Sequence, residues 1–265
     1  MATGMDEAYA RLLVHLRGLN GAAVAVSGGV DSSCLVAVAR EALGAGRVLA
    51  LTAVAPYTAR WEIAEAEALA ARLGVRHLQV EVPFLEALRD NPPERCYLCK
   101  RELFGRLQAV AAAEGFGPLL DGTHQDDLGD HRPGMRALKE LGVRSPFLEC
   151  GLTKADIRRI SRALDLPTAD RPPYACLMTR LPHGTSVTEE TLRRIEGAER
   201  LLMDSGFAAV RVRVHGDLAR IEVAPGEQAR LLAQGAALSE RLRGLGFRYV
   251  ALDLAGYRTG SMNAA

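Results

Sequence analysis

The residues 24–33, VAVSGGVDSS, constrain the fold more than any other part of the chain. An apolar run of strand type stops at Ser-Gly-Gly, and an apolar-periodic stretch from Leu35 to Leu43 follows that is typical of a helix. Gly28 and Gly29 have no Cβ, so the backbone can turn tightly and direct N–H groups at an anion. A helix start adds unpaired N–H groups and the positive end of a dipole. The pattern predicts a phosphate-binding loop between a buried strand and a helix.

Side chains of the same loop supply further ligands. Ser27, Ser32 and Ser33 provide hydroxyl groups, and Asp31 could hold a magnesium ion against the phosphates. The alternative is an ordinary strand–turn–helix junction in which Asp31 or Ser32 only caps the helix. The complete Ser-Gly-Gly-x-Asp-Ser string after a buried strand favours the phosphate loop.

The string from Ser27 to Ser32 resembles the pyrophosphate loop of the ATP pyrophosphatases, the PP-loop enzymes. These enzymes split ATP between its α and β phosphates to adenylylate a substrate. The Gly-Lys-Ser/Thr of the other common phosphate loop does not follow here, which disfavours γ-phosphate transfer. The resemblance therefore implies ATP as cofactor, with AMP and pyrophosphate as products.

Short apolar runs alternate with helical patterns over residues 5–165, which predicts an α/β fold: a parallel sheet with helices on both faces. Ligands of such sheets lie beyond the carboxyl ends of the strands. The predicted strands are Ala22–Val26, Val48–Val54, Val75–Val82, Pro118–Asp121 and Ser145–Phe147. The predicted helices are Tyr9–Arg17, Ser32–Leu43, Ala59–Leu73, Lys100–Ala113 and Lys154–Leu164.

A proline-rich, irregular segment from Asp165 to Thr185 indicates a linker that doubles as an active-site loop. A smaller α+β unit follows it. Its predicted elements are helices Glu189–Met203, Glu227–Leu232 and Ala237–Leu242, a hairpin of Ala209–His215 with Leu218–Val223, and strand Phe247–Leu252. We therefore divide the chain into a PP-loop domain (1–167), a cysteine-bearing linker (168–186) and a C-terminal domain for substrate binding or oligomerisation (187–265).

Composition limits the partners and the compartment. The net charge is +1 and no long polybasic tract is present, so the sequence does not indicate nucleic-acid binding. No apolar run approaches the roughly 18 residues that span a bilayer, and the N-terminal residues lack the pattern of a signal peptide. Five cysteines, an odd number, argue against a disulfide framework. We expect a cytoplasmic protein without a membrane partner.

Three cysteines are candidate metal ligands. Cys96 and Cys99 form a C-x-x-C pair, and Cys176 lies in the irregular segment. Three thiolates suit an iron–sulfur cluster that leaves one iron open, whereas structural zinc normally has four protein ligands. His124 or His183 could supply the fourth, so zinc is an alternative. A second alternative is that the pair consists of unmetallated thiols in a loop.

Cys176 also has the features of a reactive thiol. It is near Arg171 and Arg180 in sequence, and positive charges beside a thiol favour the thiolate. A buried structural cysteine would more often lie inside a strand or helix. The sequence therefore predicts a chemical role for Cys176.

Polar residues 121–134 follow a predicted strand and form a second part of the nucleotide site. Gly122 and Thr123 at a strand end permit close approach of a nucleotide, and the carboxylates could bind magnesium or hold the loop. The alternative is a solvated acidic turn with Asp130 and Arg132 paired. We also assign Ala25, Thr52 and Asp127 to the nucleotide site.

Arginines concentrate late in the chain. Arg211 and Arg213 alternate with valines, so both point to one face of a strand, and Arg258 follows Gly256-Tyr257. Guanidinium groups that share a face suit a phosphate monoester. The sequence predicts that these three residues bind a substrate phosphate; a solvated hairpin face is the alternative.

Taken together, these features resemble the LarE family of sulfur transferases, which take part in making the nickel-pincer nucleotide cofactor. The resemblance runs almost end to end. Its later segments are Asp130–Gly134, Ala175-Cys176, Arg180–Thr185, Val212-Arg213, Ala219–Glu222, Gly246–Val250 and Gly256–Gly260.

The resemblance implies a small-molecule substrate, the nicotinate-derived pyridinium-3,5-biscarboxylic acid mononucleotide. ATP adenylylates a carboxylate, pyrophosphate leaves, and a sulfur nucleophile displaces AMP to give a thiocarboxylate. In the well-known form the sulfur comes from the cysteine matching Cys176, which ends as dehydroalanine. We assign Cys176, Asp31 and Arg180 as catalytic on this basis.

Cys96 and Cys99 depart from that single-cysteine form. Family members with three such cysteines resemble thiolases in which a [4Fe–4S] cluster carries the transferred sulfide, so we expect a cluster on Cys96, Cys99 and Cys176. The resemblance also suggests a homo-oligomer, with a hexamer as one option. Alternatives are a tRNA thiolation enzyme of the PP-loop superfamily and a non-enzymatic ATP-binding or iron–sulfur redox-sensing module.

Overall fold

A computed structural model describes residues 3–129 and 133–258, and the chain separates into two compact units. Unit 1 comprises Met1–Leu85 and Glu94–Tyr174, and unit 2 comprises Glu86–Pro93 and Ala175–Ala265. The short stretch 86–93 thus groups with the C-terminal part of the chain. The division into residues 1–167, 168–186 and 187–265 stays a prediction.

Unit 1 is built on a parallel sheet with strand order β3-β2-β1-β4. Its strands are β1 (Ala22–Ala25), β2 (Val48–Val54), β3 (Arg76–Glu81) and β4 (Leu119–Leu120). Its helices are α1 (Thr3–Arg17), α2 (Val30–Leu43), α3 (Arg60–Leu73), α4 (Arg95–Ala113), α5 (Pro133–Glu140), α6 (Pro146–Glu149) and α7 (Lys154–Ala163). The strand order reverses at β1, and a crevice for ligands forms at such a point.

Side chains of successive strand residues enter two different cores, because strand residues alternate between the faces of a sheet. Ala22 and Val24 of β1 pack in one core with residues of α1, α2 and α7. Ala23, between them, packs in the other core with Leu107 and Ala111 of α4. The predicted α/β fold with helices on both faces of a parallel sheet is confirmed.

Several predicted bounds differ from the structure. The strand Ser145–Phe147 is wrong: Arg144 makes an isolated bridge to Leu120, and helix α6 begins at Pro146. Proline favours the first position of a helix, which outweighs the short apolar run. Helix α4 begins at Arg95 rather than Lys100, so the C-x-x-C pair lies in a helix and not in a loop.

Unit 2 contains a second, three-stranded sheet in the order β5-β6-β7. Its elements are α8 (Glu189–Asp204), β5 (Val210–His215), β6 (Leu218–Val223), α9 (Gln228–Ala233), α10 (Gly235–Gly244) and β7 (Tyr249–Leu252). β5 and β6 form the predicted hairpin, with Gly216 in the left-handed region at φ +61°. β7 lies parallel to β6.

The helices among the described residues are too short or too polar to cross a membrane.

Candidate functional site

The phosphate loop connects β1 to α2 at the carboxyl edge of the sheet. Gly28 has φ +78°, and a Cβ there would lie 2.7 Å from the carbonyl oxygen of Glu62, so only glycine fits without strain. Gly29 holds the N-cap position of α2 in an extended conformation and supplies no side-chain acceptor. The first N–H groups of α2 are therefore free of a side-chain cap and can bind an anion.

Hydroxyl groups shape the loop from within. Ser32 Oγ accepts the N–H of Ser27 at 3.1 Å and donates to the carbonyl of Gly29 at 3.2 Å. Ser33 is fully buried, and its Oγ has no hydrogen-bond partner among the described residues. Ser32 thus stabilises the turn, while Ser27 is exposed at its tip.

Asp31 is paired with a lysine that the sequence motif did not reveal. The Nζ of Lys154 lies 2.5 Å from both carboxylate oxygens of Asp31. Lys154 is the first residue of α7, and its N–H donates to Asp126 at 2.7 Å. A magnesium ion at Asp31 would have to share the carboxylate with this ammonium group, which itself can bind phosphate.

The loop after β4 packs directly on the phosphate loop. A Cβ at Gly122 would lie 2.9 Å from Cβ of Asp31 and 3.1 Å from the N of Ser32, so the two backbones are in close contact. Thr123 Oγ1 donates to the buried carboxylate of Asp121 at 2.5 Å. The predicted nucleotide residues Gly122 and Thr123 thus adjoin Asp31, and Thr123 also holds its own loop.

His124 and Asp127 complete this corner of unit 1, and both are buried. Asp127 accepts the N–H of His124 at 3.1 Å, and its other oxygen lies 3.5 Å from Nε2 of His124. The same Nε2 lies 4.0 Å from Asp31. Asp127 therefore holds the loop, which was one of the two predicted roles for these carboxylates. The predicted pairing of Asp130 with Arg132 lies outside the described residues.

Thr52 connects the phosphate loop to the neighbouring strands. It is buried at the carboxyl end of β2 and donates to the carbonyl of Val26 at 2.9 Å. Because its single hydrogen is used there, Nε2 of His77, 2.9 Å away, must be the donor to Thr52. Burial lowers the pKa of His77, so the ring stays neutral. Ala25 pairs with Leu51 at the end of β1.

Cys96 and Cys99 lie three residues apart in the first two turns of α4, so both thiols face one side of the helix. Cys96 is exposed, whereas the thiol of Cys99 donates to Tyr57 at 3.5 Å. Burial raises the pKa of Cys99 to about 11, so a metal would have to displace its proton on binding. The pair can present two sulfur ligands on one side.

Tyr97, inside the C-x-x-C, fixes this turn against α5. The guanidinium carbon of Arg136 lies 3.7 Å from the centroid of its ring, and its hydroxyl donates to Glu140 at 2.8 Å. A Cβ at Gly134 would lie 2.7 Å from Cδ of Lys100. α5, which the sequence did not predict, thus supports the cysteine pair.

Cys176 lies in unit 2 and is exposed. It precedes a 3-10 turn, Leu177–Arg180. Arg180 is fully buried and forms two 2.8 Å bonds to Glu199, while Arg171, in unit 1, pairs with Glu65. Both predicted activating charges therefore have carboxylate partners. The catalytic roles of Cys176 and Arg180 stay predictions.

Arg211 and Arg213 are both buried, which excludes the alternative of a solvated hairpin face. Arg213 forms a two-point ion pair with Glu222 at 3.1 and 3.0 Å, and Arg211 stacks 4.7 Å from the ring centre of Tyr257. Arg258 is exposed. The structure brings Arg211 and Arg213 onto one strand, and their predicted role in phosphate binding stays a prediction.

Among the described residues, no group of three His, Cys, Asp or Glu side chains is arranged to hold a metal ion. The three predicted cysteine ligands are divided between the units, with Cys96 and Cys99 in unit 1 and Cys176 in unit 2. The chemistry of the C-x-x-C pair fits two ligands of an iron–sulfur cluster.

Comparison with known proteins agrees with this fold. The family model of NAD synthase matches residues 6–106, which contain the phosphate loop. The fold and the loop together define an ATP-dependent enzyme of the PP-loop class.

Two full-length relatives narrow the assignment. An uncharacterized protein of Synechocystis sp. is 42% identical over 92% of each chain. The pyridinium-3,5-bisthiocarboxylic acid mononucleotide synthase of Lactiplantibacillus plantarum is 34% identical over 96% of this chain and 93% of its own length. The chain belongs to the LarE family of ATP-dependent sulfur transferases. A glutamine-dependent NAD(+) synthetase of Synechocystis matches only 52% of this chain and 28% of its own length, at 29% identity.

Proposed function

We propose that this enzyme adenylylates a carboxylate of pyridinium-3,5-biscarboxylic acid mononucleotide with ATP and converts it to a thiocarboxylate. The end-to-end similarity to a synthase of pyridinium-3,5-bisthiocarboxylic acid mononucleotide supports this substrate. The observation that carries the proposal is the phosphate loop at the carboxyl end of β1: Gly28 turns the backbone, α2 begins without a side-chain cap, and Lys154 pairs with Asp31 in its first turn.

The proposed activation step uses these groups. A substrate carboxylate oxygen attacks the α-phosphorus of ATP, the bond to the bridging oxygen breaks, and pyrophosphate leaves. N–H groups of α2 and the ammonium of Lys154 stabilise the charge that develops on pyrophosphate. Asp31 would hold Mg²⁺ through its carboxylate, which it would share with Lys154, and the ion would neutralise charge on the phosphates. The resulting acyl adenylate has AMP as its leaving group, which a bare carboxylate lacks.

Two routes can deliver sulfur, and the cysteine set favours the first. Cys96, Cys99 and Cys176 would hold a [4Fe–4S] cluster, which supplies a transferable sulfide without consuming a side chain. In the second route the thiolate of Cys176 attacks the acyl adenylate and AMP leaves. Loss of the Cα proton and cleavage of the Cβ–S bond then release the thiocarboxylate and leave dehydroalanine at position 176.

Pyrophosphate release tests the activation step. The purified enzyme with ATP, Mg²⁺ and the biscarboxylate mononucleotide should release pyrophosphate and AMP, and omission of the mononucleotide should abolish this release. Formation of ADP and phosphate would contradict the proposal. Dependence on tRNA instead of the mononucleotide would support the tRNA thiolation alternative, and ATP binding without turnover would support a binding module.

Iron analysis tests the sulfur route. Anaerobic reconstitution should give about four iron atoms per chain, the content of one cluster. Cys96→Ala, Cys99→Ala and Cys176→Ala should each lower that content, whereas Cys150→Ala is the matched control and should not. An iron-free wild-type enzyme that makes one thiocarboxylate per chain, with dehydroalanine at position 176 by mass spectrometry, would establish the second route.

A further inference from the structure

Side-chain donors hold the segment that carries Cys176, residues 175–182. Leu177, Met178 and Leu181 are buried, while Cys176 itself is exposed. A single 3-10 turn, Leu177–Arg180, provides its regular structure. Backbone N–H groups of Thr179, Leu181 and Thr185 donate to the carbonyls of Cys176, Met178 and Pro182, and side chains add further donors to these carbonyls and to those of Ala175 and Leu181.

Arg180 binds the carbonyl groups at the start of the segment. Its Nη1 donates to the carbonyls of Ala175 at 2.6 Å and Cys176 at 3.1 Å. The other edge of the same guanidinium is fixed on Glu199 by two bonds. The backbone of Cys176 is thereby attached to α8.

Asn91 binds the carbonyl groups at the end of the segment. It is fully buried, and its Nδ2 lies 2.9 Å from the carbonyl oxygen of Pro182, 3.0 Å from that of Leu181 and 3.4 Å from that of Met178. An amide group carries two hydrogens, so the two shorter contacts are the principal bonds. The carbonyl of Asn91 in turn accepts the N–H of Gly184 at 3.3 Å.

The backbone conformation of Asn91 favours asparagine at this position. Its φ is +46°, in the left-handed region that residues with a side chain rarely adopt. Asparagine tolerates this region better than most residues. Glycine would accept the same φ but lacks the amide, and aspartate would place a carboxylate against the carbonyl oxygens. The surrounding contacts maintain the strained conformation.

We propose that Asn91 is a positioning residue for sulfur transfer. It acts through the backbone. The side-chain amide of Asn91 holds the buried turn after Cys176, and Arg180 holds the carbonyls of Ala175 and Cys176. Together they keep the exposed thiol in one position. The inference rests on the proposed role of Cys176 and applies to both sulfur routes. Preorganisation of this kind matters because a displacement of about 1 Å can cost about a hundredfold in rate.

Asn91→Gly tests the proposal, with Asp165→Gly as the matched control. Asp165 also has positive φ, at +51°, but its side chain is 96% exposed in unit 1. In single-turnover reactions of Asn91→Gly, the ratio of the rate of thiocarboxylate formation to the rate of pyrophosphate release should fall by about ten- to a hundredfold, because the acyl adenylate waits for sulfur, while the rate of that first pyrophosphate release stays unchanged. A structural loss alone would lower both. The control should match wild type in both rates.

Hydrogen exchange provides a readout that needs no substrate. Amides of residues 177–187 should exchange faster by about tenfold or more in Asn91→Gly, while those of residues 22–43, which span β1, the phosphate loop and α2, keep their wild-type rates. Unchanged exchange over 177–187 would overturn the proposal even if the enzyme proved inactive on the mononucleotide. Failure of the wild-type enzyme to release pyrophosphate would instead overturn the proposed function.

Asn91→Asp is the second variant. Aspartate has the size of asparagine and also tolerates positive φ, but it has a carboxylate oxygen in place of the NH₂ group that donates to the carbonyls. The ratio of thiocarboxylate formation to pyrophosphate release should therefore fall as in Asn91→Gly. A wild-type ratio in Asn91→Asp, or a parallel fall of both rates in both variants, would show that Asn91 has no positioning role.

Discussion

Gly122 lies in the loop after β4 and Asp31 in the first turn of α2, and their backbones approach so closely that position 122 has no room for a side chain. This contact sets the distance between the loop after β4 and the phosphate loop. Such single contacts determine the geometry of the nucleotide site, because the groups that bind phosphate are largely backbone N–H groups. A shift of the backbone therefore shifts these groups.

Replacement of Gly122 by alanine should therefore disturb the phosphate loop. The added Cβ would lie 2.9 Å from Asp31 Cβ and 3.1 Å from the N of Ser32, and we expect a loss of about 1–3 kcal/mol in the free energy of unfolding. Pyrophosphate release should fall at least about tenfold. Gly129→Ala is the control, since a Cβ there meets no described atom within 4 Å. Equal stability and equal pyrophosphate release in Gly122→Ala and Gly129→Ala would contradict the close contact at Gly122.

Lys154 should matter for catalysis rather than for folding. Lys154→Met removes the ammonium group beside Asp31, and we expect kcat/KM for ATP to fall by about a hundredfold because charge on the departing pyrophosphate loses a donor. Lys154→Arg should lose less, since it keeps the charge. Lys139→Met, at an exposed position on α5, is the control. Steady-state pyrophosphate release measures all three, and wild-type activity of Lys154→Met would contradict the assignment.

Local sequence motifs identify only some of the residues described above. Ser27, Gly28 and Asp31 could be assigned from their local string, because a strand, two glycines and a helix start are local features. Lys154 could not, since it is 123 residues from Asp31 and carries no sequence signal beyond its place at a helix start. Asn91 likewise reads as an ordinary turn residue until its partners are known.

At the scale of elements, α7 matters because its first residue is Lys154, and its start is fixed by a capping box. Thr153 accepts the N–H of Asp156, and the Asp156 carboxylate accepts the N–H of Thr153 at 2.9 Å. Burial raises the pKa of Asp156, but the bonds from Thr153 and nearby arginines outweigh it, so the pKa is lowered overall. The carboxylate form is the one that caps.

Thr153→Ala should lower the free energy of unfolding by about 1 kcal/mol at pH 7. The pKa of Asp156 is lower in the folded state than in the unfolded state. Its carboxylate therefore contributes to the free energy of unfolding above the unfolded pKa of about 3.9, and this contribution is lost as the pH falls below that value. The effect of the mutation should therefore shrink below about pH 4. Thr188→Ala is the control. Thr188 caps α8, but the residue at the third position of that helix is Thr191, which has no carboxylate. The effect of Thr188→Ala on the free energy of unfolding should therefore not change with pH. Denaturant unfolding at both pH values distinguishes these outcomes.

Element bounds were predictable where the pattern was long. β2 and the second hairpin strand, Leu218–Val223, have the predicted bounds because their apolar runs are bordered by turn residues. The strand at Ser145–Phe147 was wrong because three residues carry too little periodicity to oppose a proline at a helix start. α4 begins earlier than predicted, at Arg95, although the C-x-x-C looked like a loop.

At the scale of the whole molecule, buried ion pairs hold unit 2 together. Glu199 binds Arg180 with both oxygens and accepts the N–H of Val212 at 3.0 Å, so one carboxylate joins the Cys176 segment, α8 and β5. Arg180 and Glu199 are both fully buried. Loss of either partner would leave an uncompensated charge away from water.

Glu199→Gln should therefore destabilise the protein by about 3–5 kcal/mol, measured by denaturant unfolding. Glu189→Gln is the control, because Glu189 forms an exposed pair with Arg193 on the same helix and should change stability by about 1 kcal/mol or less. Similar values for the two variants would show that the buried pair is not a principal contact of unit 2.

Local strings and periodicities were enough to predict a parallel α/β fold and an ATP-cleaving loop, and the resemblance of longer segments indicated a sulfur-transfer family. These features can be recognised without coordinates because they depend on neighbouring residues. The partners of individual side chains depend on tertiary packing: Lys154 pairs with Asp31, Glu199 with Arg180, and Asn91 with the carbonyl of Pro182. Such partners are set by the packing of distant segments, and a buried charge or amide takes its role from the group that the fold places beside it.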